Sequence, residues 1–327
     1  MKAIILKVRP NSRFHFGKTA LDNEVGLSDT SDWMHSDSLF AALVQNIAKY
    51  APEEIENFIQ LFEKHKIKIS SLFYCLKNIE KNEIHYLLPK PIHASNLVNE
   101  KSDSHIIKKV KRTKFVSLKF LQKNFDADTI ENKDLPKPFE KGTTIQVKQR
   151  FFDSEDDKKD PYSISFIQIP KHTGKKHAKF ETHFYFLYDE NSLTEKEKNL
   201  FKFAVDLIRF EGLGGRKSSG FGFVEEVCFN TDFNYSFKSD TYMSLGLSIP
   251  ESLDDLKKFN YYDTIKRGGR QRKFDYLKSI QMISEGAILN TSDFKGQVVE
   301  LSKDDNAPSK RLGICLTLPI HENYGNS

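Results

Sequence analysis

The chain switches between two hydrophobic periods. Ala3-Ile-Ile-Leu-Lys-Val8 is an almost unbroken apolar run closed by Pro10, which predicts a buried first strand. Residues 11–35 break that run with Gly17, Gly26 and many Ser, Asp and Thr, and read as a loop. From Ser36 to about Tyr50 the period becomes helical, with Leu39, Leu43 and Ile47 on one face and Phe40, Val44 and Ala48 beside them. Ser36 is the expected cap, and Asp37 suits the first turn of that helix. A second helix is expected from Pro52, a favoured first-turn proline, with Ile55, Phe58, Ile59 and Phe62 turned inward.

Order then lapses. Residues 85–180 are strongly charged, with Leu-Pro-Lys-Pro at 88–91 and again at 135–138 and an acidic patch at 153–160. They read as an irregular insertion with hairpins and one short helix near Leu118–Asn124. Strand patterns return at Tyr162-Ser-Ile-Ser-Phe-Ile-Gln-Ile169 and at Thr182-His-Phe-Tyr-Phe-Leu-Tyr188. Thr194-Glu-Lys-Glu197 is a capping box that starts a helix carrying Leu200, Phe201, Ala204, Leu207 and Ile208. That helix runs into a glycine-rich loop, and Phe221–Phe229 is the next strand. The order is strand, helix, strand, strand, helix, loop, strand, which predicts a ferredoxin-like (RRM-like) βαββαβ unit of the α+β class. We place this unit at residues 1–235, with the insertion at about 85–180. Residues 236–327 follow as a second, degenerate ferredoxin-like unit, with strand candidates at Tyr242–Ile249, Ile280–Ile288, Gln297–Leu301 and Ile314–Leu318 and a short helix after Pro250.

The loop itself is Phe210-Glu-Gly-Leu-Gly-Gly-Arg-Lys-Ser-Ser-Gly-Phe-Gly222. Gly212, Gly214, Gly215, Gly220 and Gly222 surround Arg216, Lys217, Ser218 and Ser219. Glycine permits positive φ and close backbone approach, so successive N–H groups can converge on an anion. The cationic pair and the hydroxyls add further donors. The order of residues is neither that of a Walker loop nor that of a dinucleotide fingerprint, which runs from strand to helix rather than from helix to strand.

Charge sharpens the picture. Net charge is +5 over 327 residues, with 27 Phe and one Trp. The basic residues cluster: residues 101–124 hold eight Lys or Arg against one Asp, residues 171–179 four Lys, and residues 265–273 five Lys or Arg. Beside a cationic glycine loop, such runs favour a polyanionic partner. The 101–124 run is expected to form a mobile arm near nucleic acid. Three dispersed cysteines form no zinc or disulfide spacing and suggest reduced thiols in a cytoplasmic protein. No apolar run reaches membrane-spanning length, and neither a signal peptide nor a cofactor is expected.

These residues resemble a family. A glycine loop of this composition between the last helix and strand of a ferredoxin-like fold is similar to that of the RAMP superfamily of CRISPR-associated RNA-binding proteins. Phe14-His-Phe-Gly17, His35-Ser-Asp-Ser-Leu-Phe-Ala-Ala-Leu43, Leu88-Pro-Lys-Pro91, Lys114-Phe-Val-Ser-Leu118 and Lys266-Arg-Gly-Gly-Arg270 resemble, within it, the fourth Csm subunit of type III-A effector complexes. The resemblance implies a subunit with no established catalytic role in antiviral defence. It would grip the 5′ tag of the crRNA and contact both the large polymerase-like subunit and the backbone RAMP subunit of the filament. A hairpin thumb from the insertion would meet the guide–target duplex.

On this reading the RNA-binding candidates are His15, Phe16, Gly17, Ser36, Gly212, Gly214, Gly215, Arg216, Lys217, Ser218, Ser219, Gly220, Arg267, Gly268, Gly269 and Arg270. His15 is offered to phosphate or base and Phe16 to base stacking. A plain strand end with a buried Phe stays open as the other reading. Asp37 would repel phosphate and is assigned to capping. Two other functions remain. The first is a metal-independent endoribonuclease that processes CRISPR RNA, with His15 or His35 as acid or base. The second is a scaffold whose loop packs against protein. Asp22, Asp29 and Asp32 are a weak metal candidate, and a solvated loop is the expectation.

Overall fold

The structure is a computed structural model and describes residues 1–18, 27–98, 103–146, 161–269, 277–302 and 309–325. Its first half is built on β1 (Lys2–Lys7), β2 (Arg13–Phe14), α1 (Ser36–Tyr50), α2 (Ile55–Glu63), β3 (Ile67–Ile69), β4 (Phe73–Asn78) and β5 (Glu83–Pro89). The insertion contributes α3 (Ser104–Arg112), β6 (Phe115–Ser117), α4 (Leu118–Leu121), β7 (Glu140–Gln146) and β8 (Tyr162–Gln168). Then come β9 (Phe180–Glu190), α5 (Glu195–Asp206), α6 (Ile208–Glu211) and β10 (Glu226–Thr231). The remainder is β11 (Tyr242–Ser244), α7 (Leu253–Leu256), β12 (Phe259–Tyr261), β13 (Thr264–Arg267), β14 (Ile280–Ile283), β15 (Ile288–Leu289), β16 (Gln297–Glu300), β17 (Lys310–Gly313) and β18 (Thr317–Pro319).

The class is mixed α and β with antiparallel sheets. The main sheet has the order β10-β1-β9-β4-β5-β6, with β3 also paired to β9. The run of apolar residues in β1 is explained by burial on both faces. Ile4 and Leu6 face one way, toward Leu39, Phe40 and Leu43 of α1, Phe58 and Phe62 of α2, and Phe201 and Val205 of α5. Ala3 and Ile5 face the other way, into a core shared with Met243, Leu245, Ile288 and Leu318. A strand covered on both sides has no polar face to show, so its alternation disappears from the sequence. The later strands form a second sheet of order β12-β15-β11-β18, with the hairpins β13-β14 and β16-β17 beside it.

The capping box at Thr194 and Glu197 is present, with both reciprocal hydrogen bonds made. Other local expectations need correction. The cap of α1 is His35, without a side-chain hydrogen bond to the helix, and the helix expected at Pro52 opens as a 3-10 turn before α2. The basic 101–124 run is largely ordered protein. Asp103 accepts from the His105 amide to start α3, Val110 is buried, and Lys109 donates to the carbonyls of Ala127 and Asp128. A stripe of only Ile106, Ile107 and Val110 carries this helix, too thin to stand out among lysines. The acidic patch at 153–160 lies outside the described residues.

Candidate nucleic-acid interface

The glycine loop closes against β2 and the residues after it. The Gly215 amide donates to the His15 carbonyl at 2.9 Å, and the Gly222 amide to the Arg13 carbonyl at 2.8 Å. Glycine is required at Gly212 (φ +70°), where a Cβ would lie 2.8 Å from the Gly222 carbonyl oxygen, and still more tightly at two further positions. At Gly214 (φ +78°) a Cβ would lie 2.5 Å from the His15 carbonyl oxygen, and at Gly222 (φ +82°) it would lie 2.3 Å from that of Leu213. Between them, Arg216 (φ +63°) and Gly220 (φ +79°) adopt the left-handed conformation and bracket a single 3-10 turn, Lys217–Ser219. That turn thrusts Lys217, Ser218, Ser219 and Gly220 into solvent.

A cleft of about 650 Å³ opens beside this loop. Phe16, Gly17 and Lys18 line one side, and His35, Ser38, Ala41, Ala42 and Gln45 of α1 line another. Gly214, Gly215 and Lys217 come from the loop, and Arg267, Gly268, Gly269 and Arg311 from the C-terminal third. Four segments that are far apart in sequence therefore share one concavity. Lys217 makes no hydrogen bond or ion pair among the described residues; although it is exposed as a whole, its stem runs back along the loop beside Gly212, and the desolvation this brings lowers its pKa. A cation that burial disfavours in this way gains when an anion arrives.

The individual candidates have different situations. His15 is buried, and its Nδ1 lies 2.8 Å from the Ser165 carbonyl, to which it donates. Phe16 is only 4% exposed and packs against Phe14 and Phe184 with both centroid separations 5.9 Å. It walls the cleft and has no free face for stacking on the core side. Gly17 is exposed, with nothing near its Cβ position. Ser36 is a correction. It is fully buried, and its Oγ accepts from the Leu247 amide at 2.9 Å, so it is a strut between the two halves of the chain and not an RNA contact. The Arg216 guanidinium donates to Gln146 Oε1 at 2.6 Å and to the Tyr162 hydroxyl at 3.1 Å. It thereby ties the loop to the connected end of the β7-β8 hairpin, where β7 stops and β8 begins. Arg270 lies outside the described residues, as does Asp22. Asp29 pairs with Lys18, and Asp32 with Lys114 and Lys141, so neither carboxylate stands bare. Among the described residues no group of His, Cys, Asp and Glu is placed to hold a metal ion.

The floor of the cleft holds what sequence reasoning missed. Asp37 is fully buried and bound in two-pronged fashion by Arg267, with Nε to Oδ2 at 2.8 Å and Nη2 to Oδ1 at 3.0 Å. Arg311 Nη1 also donates to Oδ2, at 2.8 Å, and its Nη2 donates to the Gly268 carbonyl. Burial alone would push the Asp37 carboxyl up. The two guanidiniums outweigh it and hold it well below the usual carboxylate range. Asp37 is thus an ion-pair centre and not a helix cap. Next to it, His35 Nδ1 donates to Glu285 Oε1 at 2.8 Å, and the Ser71 hydroxyl donates to the same oxygen. Glu285 is fully buried too, and against the upward push of burial the His35 charge lowers its pKa. Arg311 and Glu285 lie in stretches with no motif around them, so only their spatial neighbours reveal them.

Two family models cover most of the chain: the RAMP superfamily matches residues 12–225, and the CRISPR Csm4 C-terminal domain matches residues 237–320. The chain is 29% identical to the CRISPR system Cms protein Csm4 of Methanocaldococcus jannaschii, over 94% of this chain and 90% of that one. Among solved structures it resembles a chain of the Csm3-Csm4 subcomplex of the type III-A CRISPR-Cas interference complex, at 25% identity and a TM-score of 0.62, covering 98% of this chain and 100% of that one. A chain of a Csm1-Csm4 cassette in complex with cA4 shares the fold at 18% identity and a TM-score of 0.61, covering 98% of each.

Proposed function

Because the chain belongs to the RAMP superfamily, we propose that it serves as the Csm4-type subunit of a type III CRISPR effector complex, holding the 5′ tag of the crRNA in the cleft beside its glycine loop. One observation carries the reading. The glycine loop, the residues after β2, the start of α1 and the Arg-Gly-Gly segment after β13 line one basic cleft, though they span more than two hundred residues of sequence. Single-stranded RNA is held by backbone phosphates in basic grooves, with bases free to stack or splay. Lys18, Lys217, Arg267 and Arg311 supply the positive lining. The RNA contacts we assign are Lys217 with the exposed Ser218, Ser219 and Gly220, the backbone of Gly214, and Gly17, Gly268 and Gly269 opposite, while Gly212 and Gly215, whose amides donate to the Ile208 and His15 carbonyls, shape the loop. Arg270 belongs with them by sequence. His15 and Phe16 act from behind, by fixing the wall of the cleft.

In this reading the fold is a pair of ferredoxin-like units. The main sheet orders its strands 4-1-3-2 when β1, β4, β9 and β10 are numbered in chain order, and the second sheet does the same with β11, β12, β15 and β18. The β16-β17 hairpin takes the place of a second helix there. We take the partners to be the large polymerase-like subunit and the backbone RAMP subunit, a reading supported by the relatives found with Csm1 and with Csm3, and we assign the β7-β8 hairpin as a thumb toward target RNA. The subunit itself is non-catalytic.

The test uses the purified full chain and a radiolabelled repeat–spacer RNA on a native gel and, in parallel, a denaturing gel. A retarded, uncut RNA, released by Lys217→Glu, is the expected result. Unchanged retention in Lys217→Glu would sink the cleft assignment, and a defined cut without metal would replace the reading with an endoribonuclease.

A further inference from the structure

Two guanidiniums meet one carboxylate at the floor of the cleft. The side chains of Arg267 and Arg311 are 4% and 12% exposed, and that of Asp37 is 0%. Counting charges among the described residues at this floor, the two arginines against Asp37 leave one positive charge in a poorly hydrated place. A buried charge of this kind is costly unless an anion neutralises it. Both arginines line the cleft, so the surplus faces the space into which RNA would enter. Ser38 adds a hydroxyl: its Oγ accepts from Arg267 Nη2 at 2.7 Å and donates to Asp37 Oδ1 at 3.2 Å.

We infer that Asp37 is a positioning residue: it sets Arg267 and Arg311, which come from the other half of the chain, as a two-guanidinium seat for a single phosphodiester group. The inference rests on the reading of the cleft as an RNA site and deepens it. The carboxylate consumes one of the two charges, so the seat matches one phosphate monoanion. It also fixes the planes of both forks. Arg267 is gripped through Nε and Nη2, and Arg311 through Nη1 with Gly268 holding Nη2, so the directions of the remaining N–H groups are set. Guanidinium suits this task because it can bind a carboxylate and a phosphate through different edges, which an ammonium cannot do with fixed geometry.

The inference makes a prediction opposite in sign to simple charge counting. Asp37→Asn raises the net positive charge of the cleft by one, so unspecific attraction alone would tighten RNA binding. Loss of positioning should weaken it instead, by about tenfold, which is the usual worth of a hydrogen bond to a charged group. Arg311→Gln should weaken it comparably and flatten the plot of log affinity against log salt by about 0.7, the value for one phosphate contact on a single strand. Arg311→Lys should keep the slope and recover only part of the affinity.

The experiment titrates the full chain with a fluorescent single-stranded repeat RNA at several salt concentrations, for wild type and these three variants, with a thermal melt for each. Weaker binding in Asp37→Asn together with the slope change in Arg311→Gln supports the seat. If Asp37→Asn fails to fold, the Arg311→Gln and Arg311→Lys pair decides alone. Normal affinity and slope in Arg311→Gln would overturn the inference while leaving RNA binding by the cleft intact. Absence of RNA binding by the wild-type chain, and by a complex containing it, would instead overturn the reading beneath it.

Discussion

A methyl group added at Gly222 would collide with the Leu213 carbonyl oxygen, in a backbone conformation that side chains already disfavour. Gly220 shares the conformation but faces open space. Gly220→Ala should therefore cost about 1 kcal/mol, the ordinary penalty of the left-handed region, and Gly222→Ala clearly more. Urea unfolding of the two variants checks this, and equal midpoints would show that the loop yields at residue 222. The same contrast explains what a sequence can and cannot say about a glycine. The cluster announces itself as a special loop, but which glycine holds shape and which merely leaves room depends on neighbours such as Leu213 and His15. The exposure of Lys217 at the cleft was legible because the glycine loop around it leaves a cation little to bury against. Ser36 and Asp37 were misread because their partners, Leu247, Arg267 and Arg311, sit more than two hundred positions away.

Between the elements, two side chains of the glycine loop reach the β7-β8 hairpin: Phe221 packs on Phe166 of β8, and Arg216 makes the polar contact. Arg216 reaches Gln146, near the end of β7, and Tyr162, which begins β8. With the hairpin pairing over its length as Glu140↔Gln168 through Gln146↔Tyr162, this clamp sits at the far register pair. Arg216→Ala should raise amide exchange in β7 and β8 while leaving exchange in β1 and β9 unchanged. Protection that stays the same would mean that strand pairing alone holds the hairpin. Thr194→Ala, which removes the capping box of α5, should cost about 1 kcal/mol and lower the melting temperature with no effect on RNA retention. The long amphipathic helices and the buried strands were legible from their periods. Within the insertion, the β8 strand and the short helix at Leu118–Leu121 were legible, while α3 was not, since its thin apolar stripe is lost among lysines. Nor was the shortness of the C-terminal strands, whose apolar runs continue past the last ladder hydrogen bond.

At the scale of the whole molecule, the two halves of the chain are joined through the first turn of α1. Asp37 pairs with Arg267 and Arg311, with Ser38 alongside, and His35 pairs with Glu285, with Ser71 alongside. Both carboxyl groups titrate lower in the folded protein than an ordinary carboxylate does. Their contribution to stability is therefore complete above the unfolded values, near pH 4, and is lost as pH falls through the lower folded values. The urea midpoint should be insensitive to these groups between about pH 5 and 7 and should fall below about pH 4. In Glu285→Gln that acid-side fall should be shallower, and an unchanged curve would exclude Glu285 as a source. Removing Asp37 altogether, as in Asp37→Ala, should cost about 3–5 kcal/mol, because two buried cations lose their common partner. There is a further consequence of tying the first turn of α1 to Arg311. During synthesis the glycine loop leaves the ribosome well before Arg311 does, so the nascent chain holds a finished loop beside an unfinished cleft. The cleft becomes whole only after Arg311 has been made, so a ligand that needs both of its sides must wait until then.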